Sequence, residues 1–179
     1  MMEATYSSPA PQRGDLVPAP LYTRADVAEK VRAKLHELWR VEEKPLRNPC
    51  AQPVSLERKH LPLLNDGHYV VAEKSDGVRY TLFLTRAEGA EVAFLIDRKL
   101  SMYQVPVAAR KGFFDGSIFD GELVWVTNPD GTTSQNYLVF DMVASCKKRV
   151  SSLAFFQKPY PETRFLHDAT TSINTTIKH

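Results

Sequence analysis

Five short segments rich in β-branched and aromatic residues succeed one another from His68 onward, with no room for crossover helices between neighbours. They are HYVVAEK (68–74), VRYTLFLTR (78–86), EVAFLIDR (91–98), SIFDGELVWV (117–126) and NYLVFDMV (136–143). This texture predicts strands. Parallel neighbours need a crossover, usually helical, so these segments should build a largely antiparallel sheet. Asp76-Gly77, between the first two, and Asn128-Pro129-Asp130-Gly131, between the last two, are turn sequences.

Ahead of the strands, Val27, Val31, Leu35, Leu38 and Trp39 recur at helical spacing and predict an amphipathic helix over 25–40. Thr23 to Asp26 resembles a capping box, with Thr23 as N-cap. A proline-punctuated stretch, Pro45 to Pro53, ends the helix and leads into a short segment near Leu56 to Leu64. The expected fold class is α+β, twisted antiparallel strands with the N-terminal helix packed on them. Four of the twelve prolines fall in residues 1–20, which read as a flexible leader without a signal-peptide core. The domain proper is expected over 21–149. Residues 150–179 form an ambiguous segment ending in a loop-like or frayed tail, HDATTSINTTIKH.

Bulk composition excludes more than it assigns. With 43% hydrophobic and 25% charged residues the chain has an ordinary soluble profile, and a net charge of +2 is too balanced to mark a nucleic-acid binder. Affinity for RNA must come from local placement of Lys and Arg. No apolar run is long enough to span a membrane. Cys50 and Cys146 have no metal-ligand spacing and read as two thiols of a reducing compartment rather than a long-range disulfide.

The chemistry concentrates in Glu73-Lys74-Ser75-Asp76-Gly77-Val78-Arg79-Tyr80. A protonated lysine is a poor nucleophile. A partly enclosed site beside other cations, Arg79 and a bound metal, would lower its pKa. The Asp76-Gly77 turn lets Arg79 fold back beside Lys74, where its planar fork can grip a ribose or phosphate. Alone, the motif also fits a plain surface hairpin. In Ser117 to Val124, alternation turns Asp120, Glu122 and Val124 to one face and Phe119, Gly121 and Leu123 to the other. By itself that acidic face is most simply read as lying in water, because burying two carboxylates is costly unless they meet a cation or ligand. Ile96-Asp97-Arg98 and Phe140-Asp141 close two further apolar strands. His36, His60, His68 and His167 are scattered and carry no pattern, and Lys147-Lys148-Arg149 reads as a solvated basic loop.

Taken together, these segments resemble the covalent nucleotidyltransferase superfamily of capping enzymes and polynucleotide ligases. Lys74 to Arg79 is similar to its first motif, Phe119 to Leu123 to its third, and Tyr137 to Asp141 to the strand that follows. Asn48 to Arg58 and Phe94 to Arg98 resemble the corresponding stretches of capping guanylyltransferases, most closely those of large DNA viruses and metazoans. The likeness covers roughly residues 45–146 in five colinear motifs.

The resemblance implies a reaction and a set of roles. Lys74 would take up GMP from GTP as a lysyl adduct and pass it to the 5′-diphosphate end of RNA, with Mg²⁺ or Mn²⁺ shielding the phosphates. Arg79 and Glu122 would hold the ribose, with Glu122 also near the metal. Arg98 would contact phosphates and Phe140 would stack on guanine. Asp76, Gly77, Asp120 and Asp141 would support them. It also implies an intracellular, soluble protein at a nuclear, viral or cytoplasmic site of transcription. An RNA triphosphatase, cap methyltransferase or RNA polymerase would be its partner.

The family's later metal-binding acid, its Lys-x-Lys strand and its OB-fold domain have no visible counterpart after Asp141. The expectation is therefore a partial domain, weakly active or inactive by itself. Two alternatives stay open on these residues: an ATP-dependent polynucleotide ligase, and an inactive binding or assembly module that keeps the fold.

Overall fold

The computed structural model describes residues 16, 19–39, 50, 54–66, 74–153 and 174–177. A helix α1 (Ala25–Trp39) precedes seven strands: β1 (Val78–Ala87), β2 (Ala90–Ile96), β3 (Met102–Val105), β4 (Ser117–Thr127), β5 (Thr133–Ser145), β6 (Lys148–Arg149) and β7 (Asn174–Ile177). Short 3₁₀ turns cover Arg58–Asp66 and Lys111–Asp115. Among the described residues no helix is long and apolar enough to cross a membrane.

The strands form one sheet in the order β3-β2-β1-β4-β5-β6, every neighbour antiparallel as the short connections demand, with β7 joining parallel to β5. Alternation along β1 sends Leu82 and Leu84 to one face and Phe83 to the other. Two apolar layers result. On one face Val27, Ala28, Val31 and Leu35 of α1 lie against Phe83, Phe94, Ile96, Ile118 and Val143. On the other, Tyr80, Leu82, Leu95, Phe119, Leu123, Tyr137 and Val139 pack beneath Phe114 of the second 3₁₀ turn. Leu16, within the stretch read as a leader, is buried in that second layer.

Several expectations are corrected. The helix begins at Ala25 with Arg24, not Thr23, at its cap: the Arg24 carbonyl accepts from Ala28 N–H at 2.9 Å. The Arg24 guanidinium reaches Asp26 and Glu88, a bridge that the threonine cannot make. The basic run is exposed as expected, but it is an ordered hairpin rather than a loop. Lys148 and Arg149 pair with Ser145 and Ala144, and Lys147 N–H donates to the Gly116 carbonyl. Within the tail expected to be loop or frayed, Asn174–Ile177 pairs with residues 136–139 of β5. The segment 68–73, expected to be a strand, lies outside the described residues, and Lys74 to Asp76 are irregular backbone.

Candidate active site

Strand register decides which of the polar residues meet. Arg79 of β1 is the cross-strand partner of Glu122, and Thr81 is the partner of both Asp120 on β4 and Ile96 on β2. On β4's other side Asp120 faces Asp141, while Gly121 faces Val139. One residue of β5 is therefore extra between those pairs, and it is Phe140. A bulge re-aims the side chain it inserts, and the Phe140 ring lies 5.7 Å from the Arg79 guanidinium carbon.

The candidate residues thus share a band across β2, β1, β4 and β5, at the end of the sheet where β1 begins. Arg79 and Thr81 are on the α1 face, because they lie four and two residues before Phe83 and so share its side of the strand. Glu122 is half-buried there. Asp120 is 2% exposed, so the acidic face is not in water. The carboxylate is tolerated because it meets a cation. Arg79 Nε donates to Asp120 Oδ1 at 2.9 Å, and its Nη2 donates to Oδ2. Burial nonetheless pushes the Asp120 carboxyl above the usual carboxylate range, against the pull of the guanidinium. Asp141 sits directly across, its Oδ1 accepting from Met142 N–H at 2.8 Å.

The backbone before β1 is docked by Gly77, whose N–H donates to Glu122 Oε1 at 3.2 Å. A Cβ at this position would fall 2.1 Å from the Leu123 carbonyl oxygen, so only glycine permits the approach. Gly77 is thus a close-packing residue rather than the left-handed member of a hairpin turn. Three residues earlier, Lys74 is exposed, as is Asp76. Arg98 is also exposed, in the turn that joins β2 to β3. There Asp97 Oδ1 accepts from the backbone N–H groups of Lys99 and Ser101, both at 2.8 Å, tightening the turn that presents Arg98.

Sequence reasoning missed two supports. Cys50 is buried with its Sγ 3.3 Å from Thr81 Oγ1, between the helix-facing core and the Arg79–Asp120 pair, and burial pushes its thiol far up. A polar Thr81 two residues from Arg79 in an apolar strand was the available signal. On the opposite face, Tyr137 is fully buried and donates from its hydroxyl to the Tyr80 carbonyl at 2.7 Å. Gly121 leaves the room: a Cβ there would fall 2.6 Å from Tyr137 Cζ. The glycine between the two acids is thus explained by packing.

Metal fit is limited. Among the described residues no three His, Cys, Asp or Glu side chains gather as ligands, and Asp120 is committed to Arg79. Glu122 forms no ion pair among the described residues. Mg²⁺ commonly takes one or two carboxylates, with substrate phosphates and waters completing its shell. Glu122 fits such a role, with the phosphates supplying the rest.

A family described as "mRNA capping enzyme, catalytic domain" matches residues 15–166. The chain is 46% identical over 107 residues to an mRNA-capping enzyme subunit alpha of Neurospora crassa, covering 54% of this chain and 27% of that protein. It is 32% identical over 164 residues to the namesake of Eremothecium gossypii, covering 73% of this chain and 35% of the relative. A Danio rerio mRNA-capping enzyme is 30% identical over 101 residues, covering 53% of this chain and 16% of that protein. The chain thus spans about a third or less of the curated relatives it matches.

Proposed function

Because the chain belongs to the mRNA capping enzyme catalytic-domain family, we propose that it carries the nucleotide-binding wall of a guanylyltransferase site, with Lys74 as the nucleophile. The observation behind this reading is the single band formed by the Lys74 segment, Arg79, Arg98, Glu122 and Phe140 across four adjacent strands. Lys74 Nζ attacks the α-phosphorus of GTP, forming an N–P bond as the bond to pyrophosphate breaks. The terminal phosphate oxygen of a 5′-diphosphate RNA then attacks the same phosphorus and releases the lysine. Phosphoryl transfer of this kind depends on in-line positioning and on cations at the phosphate oxygens.

The side chains divide that work. Arg79, braced by Asp120, holds its positive charge beside the ribose and phosphates, and the Phe140 ring provides a stacking face. Arg98, on its tightened turn, is free of the sheet's packing and able to follow the phosphates. Glu122 fixes the lysine segment through Gly77 and accepts from ribose or faces a metal. Mg²⁺ or Mn²⁺, when bound, neutralises charge on the phosphates and the departing pyrophosphate.

The chain by itself is expected to form adduct slowly, because among the described residues the band offers the phosphates only Lys74, Arg79 and Arg98 as cations. Losing one preorganised charge partner costs about 10²–10³-fold in rate. The test is single-turnover labelling with α-³²P GTP and metal on a denaturing gel. An acid-labile, alkali-stable adduct lost in Lys74→Ala and kept in Lys99→Ala is expected. A label that survives Lys74→Ala removes the assignment.

A further inference from the structure

At the other end of β1, away from Lys74, a cavity of about 530 Å³ opens between α1, the second 3₁₀ turn and the β5–β6 connection. Its lining includes Lys34, Arg86, Lys147 and Arg149, against two carboxylates, Glu37 and Asp115. The charges do not cancel in place. Arg86 is spent on Asp115 at 2.6 Å and Glu91 at 3.3 Å. Lys34, Lys147 and Arg149 form no ion pair among the described residues, and each is exposed. Lys34 caps the Arg86 carbonyl at 2.6 Å, and Arg149 Nε donates to Ser151 Oγ at 2.7 Å. Both leave positive charge at the rim, offset in part by Glu37 and by the second of the two carboxylates on Arg86.

The backbone holds these cations deliberately in place. Lys147 has a left-handed φ of 68° and its N–H is bonded to the Gly116 carbonyl at 2.8 Å. Gly116 itself, at φ 129°, lies under Leu38 of α1, where a Cβ would fall 2.8 Å from Leu38 Cδ1. The hairpin that carries Lys147 and Arg149 is thereby pinned to the helix that carries Lys34.

We infer that this cavity is a phosphodiester-binding site that takes the backbone of the RNA substrate some nucleotides downstream of the end held at Lys74. The inference rests on the guanylyltransferase reading for the identity of the polyanion. Three cations, one on α1 and two on the β5–β6 hairpin, suit successive phosphates rather than one. The walls are mostly charged, which offers little to peptide side chains. Arg79 and Thr85 lie on the same face of β1, and the six residue steps between them put the cavity roughly 20 Å from the catalytic band. A single strand of a few nucleotides bridges that span, well inside the usual footprint of such grooves.

The experiment follows a short fluorescein-labelled single-stranded RNA by anisotropy across a salt series, using the full 179-residue chain. Lys147→Gln/Arg149→Gln, and separately Lys34→Gln, are compared with Lys30→Gln/Lys59→Gln, which removes two cations outside the cavity. The cavity double variant should lose affinity on the order of ten-fold, with a salt slope shallower by about two, while the control pair stays near wild type. Matching thermal melts exclude unfolding, and Lys34→Gln, on a solvent-facing helix position, repeats the test independently. Equal affinity of both double variants overturns the inference, as does a wild-type chain that does not bind RNA. A loss confined to a phosphoserine peptide of equal charge also overturns it, in favour of a protein partner. Adduct formation with GTP is scored on the same variants. Its absence from wild type, alongside a cavity-dependent RNA loss, would sink only the guanylyltransferase reading; an intact adduct with unchanged RNA binding would sink only the cavity.

Discussion

Arg79 stands directly opposite Glu122 in the β1–β4 register, yet its guanidinium pairs with Asp120, two residues earlier on β4. The diagonal leaves Glu122 to hold the Gly77 N–H and sets the flat guanidinium beside the Phe140 ring. A positively charged group is thus fixed at the mouth of the band without direct contribution from the residue opposite it.

The first prediction concerns that pair. Asp120→Leu takes the buried carboxylate from a largely buried guanidinium and should cost about 3–5 kcal/mol, whereas the double change Arg79→Met/Asp120→Leu should cost less than the sum of the single changes. Chemical denaturation of the four proteins measures the coupling. Additive costs would show that the contact contributes no coupling energy.

Gly77→Ala should lower both stability and adduct yield. The new Cβ, 2.1 Å from the Leu123 carbonyl oxygen, must lift the segment off β4, break the Gly77–Glu122 bond and displace Lys74. Overpacking of this sort costs about 1–3 kcal/mol. At Gly131, where nothing lies within 4 Å but φ is +82°, alanine should cost stability alone. Equal adduct yield in the two variants would argue against the docking role of Gly77.

Phe140→Leu should weaken GTP and ATP binding alike, because stacking accepts any purine, while wild type should prefer GTP. Titration of both nucleotides against both proteins reads this out. A wild-type preference for ATP would move the chain toward the ligase alternative.

The last prediction is a pH dependence from α1. His36 Nε2 is buried without a hydrogen-bond partner among the described residues, and burial, with Arg32 nearby, holds its pKa below the ordinary value. The unfolded chain takes up this proton first, so stability should be constant above about pH 6.5 and fall as the pH drops from there toward the depressed folded value. His36→Gln should flatten the profile below about pH 6.5 in thermal melts. Parallel wild-type and variant profiles would assign the slope elsewhere.

Much of the sheet was legible. VRYTLFLTR, SIFDGELVWV and NYLVFDMV carry dense β-branched and aromatic runs, and β1, β4 and β5 fall on them. β3, four residues between two turns, and β6, two charged residues, are too short to carry a period. β7 was illegible for another reason: Asn174-Thr175-Thr176-Ile177 is recruited by the open edge of β5, not by its own pattern. Within the site, Asp120 was read as bathed in water, because alternation reports which face a side chain takes and not what covers that face.

The sequence alone determined the strand periods, the apolar stripe of α1 and the linear order of Lys74, Arg79, Arg98, Glu122 and Phe140. These are local quantities, set by the spacing of side chains along a backbone of known pitch. Register, the bulge at Phe140, the diagonal Arg79–Asp120 pair and the meeting of Lys34 with Lys147 and Arg149 belong to the tertiary structure. Each depends on how separate segments slide and stack to bury both apolar layers at once, a choice made by the packing of the whole sheet rather than by any one segment.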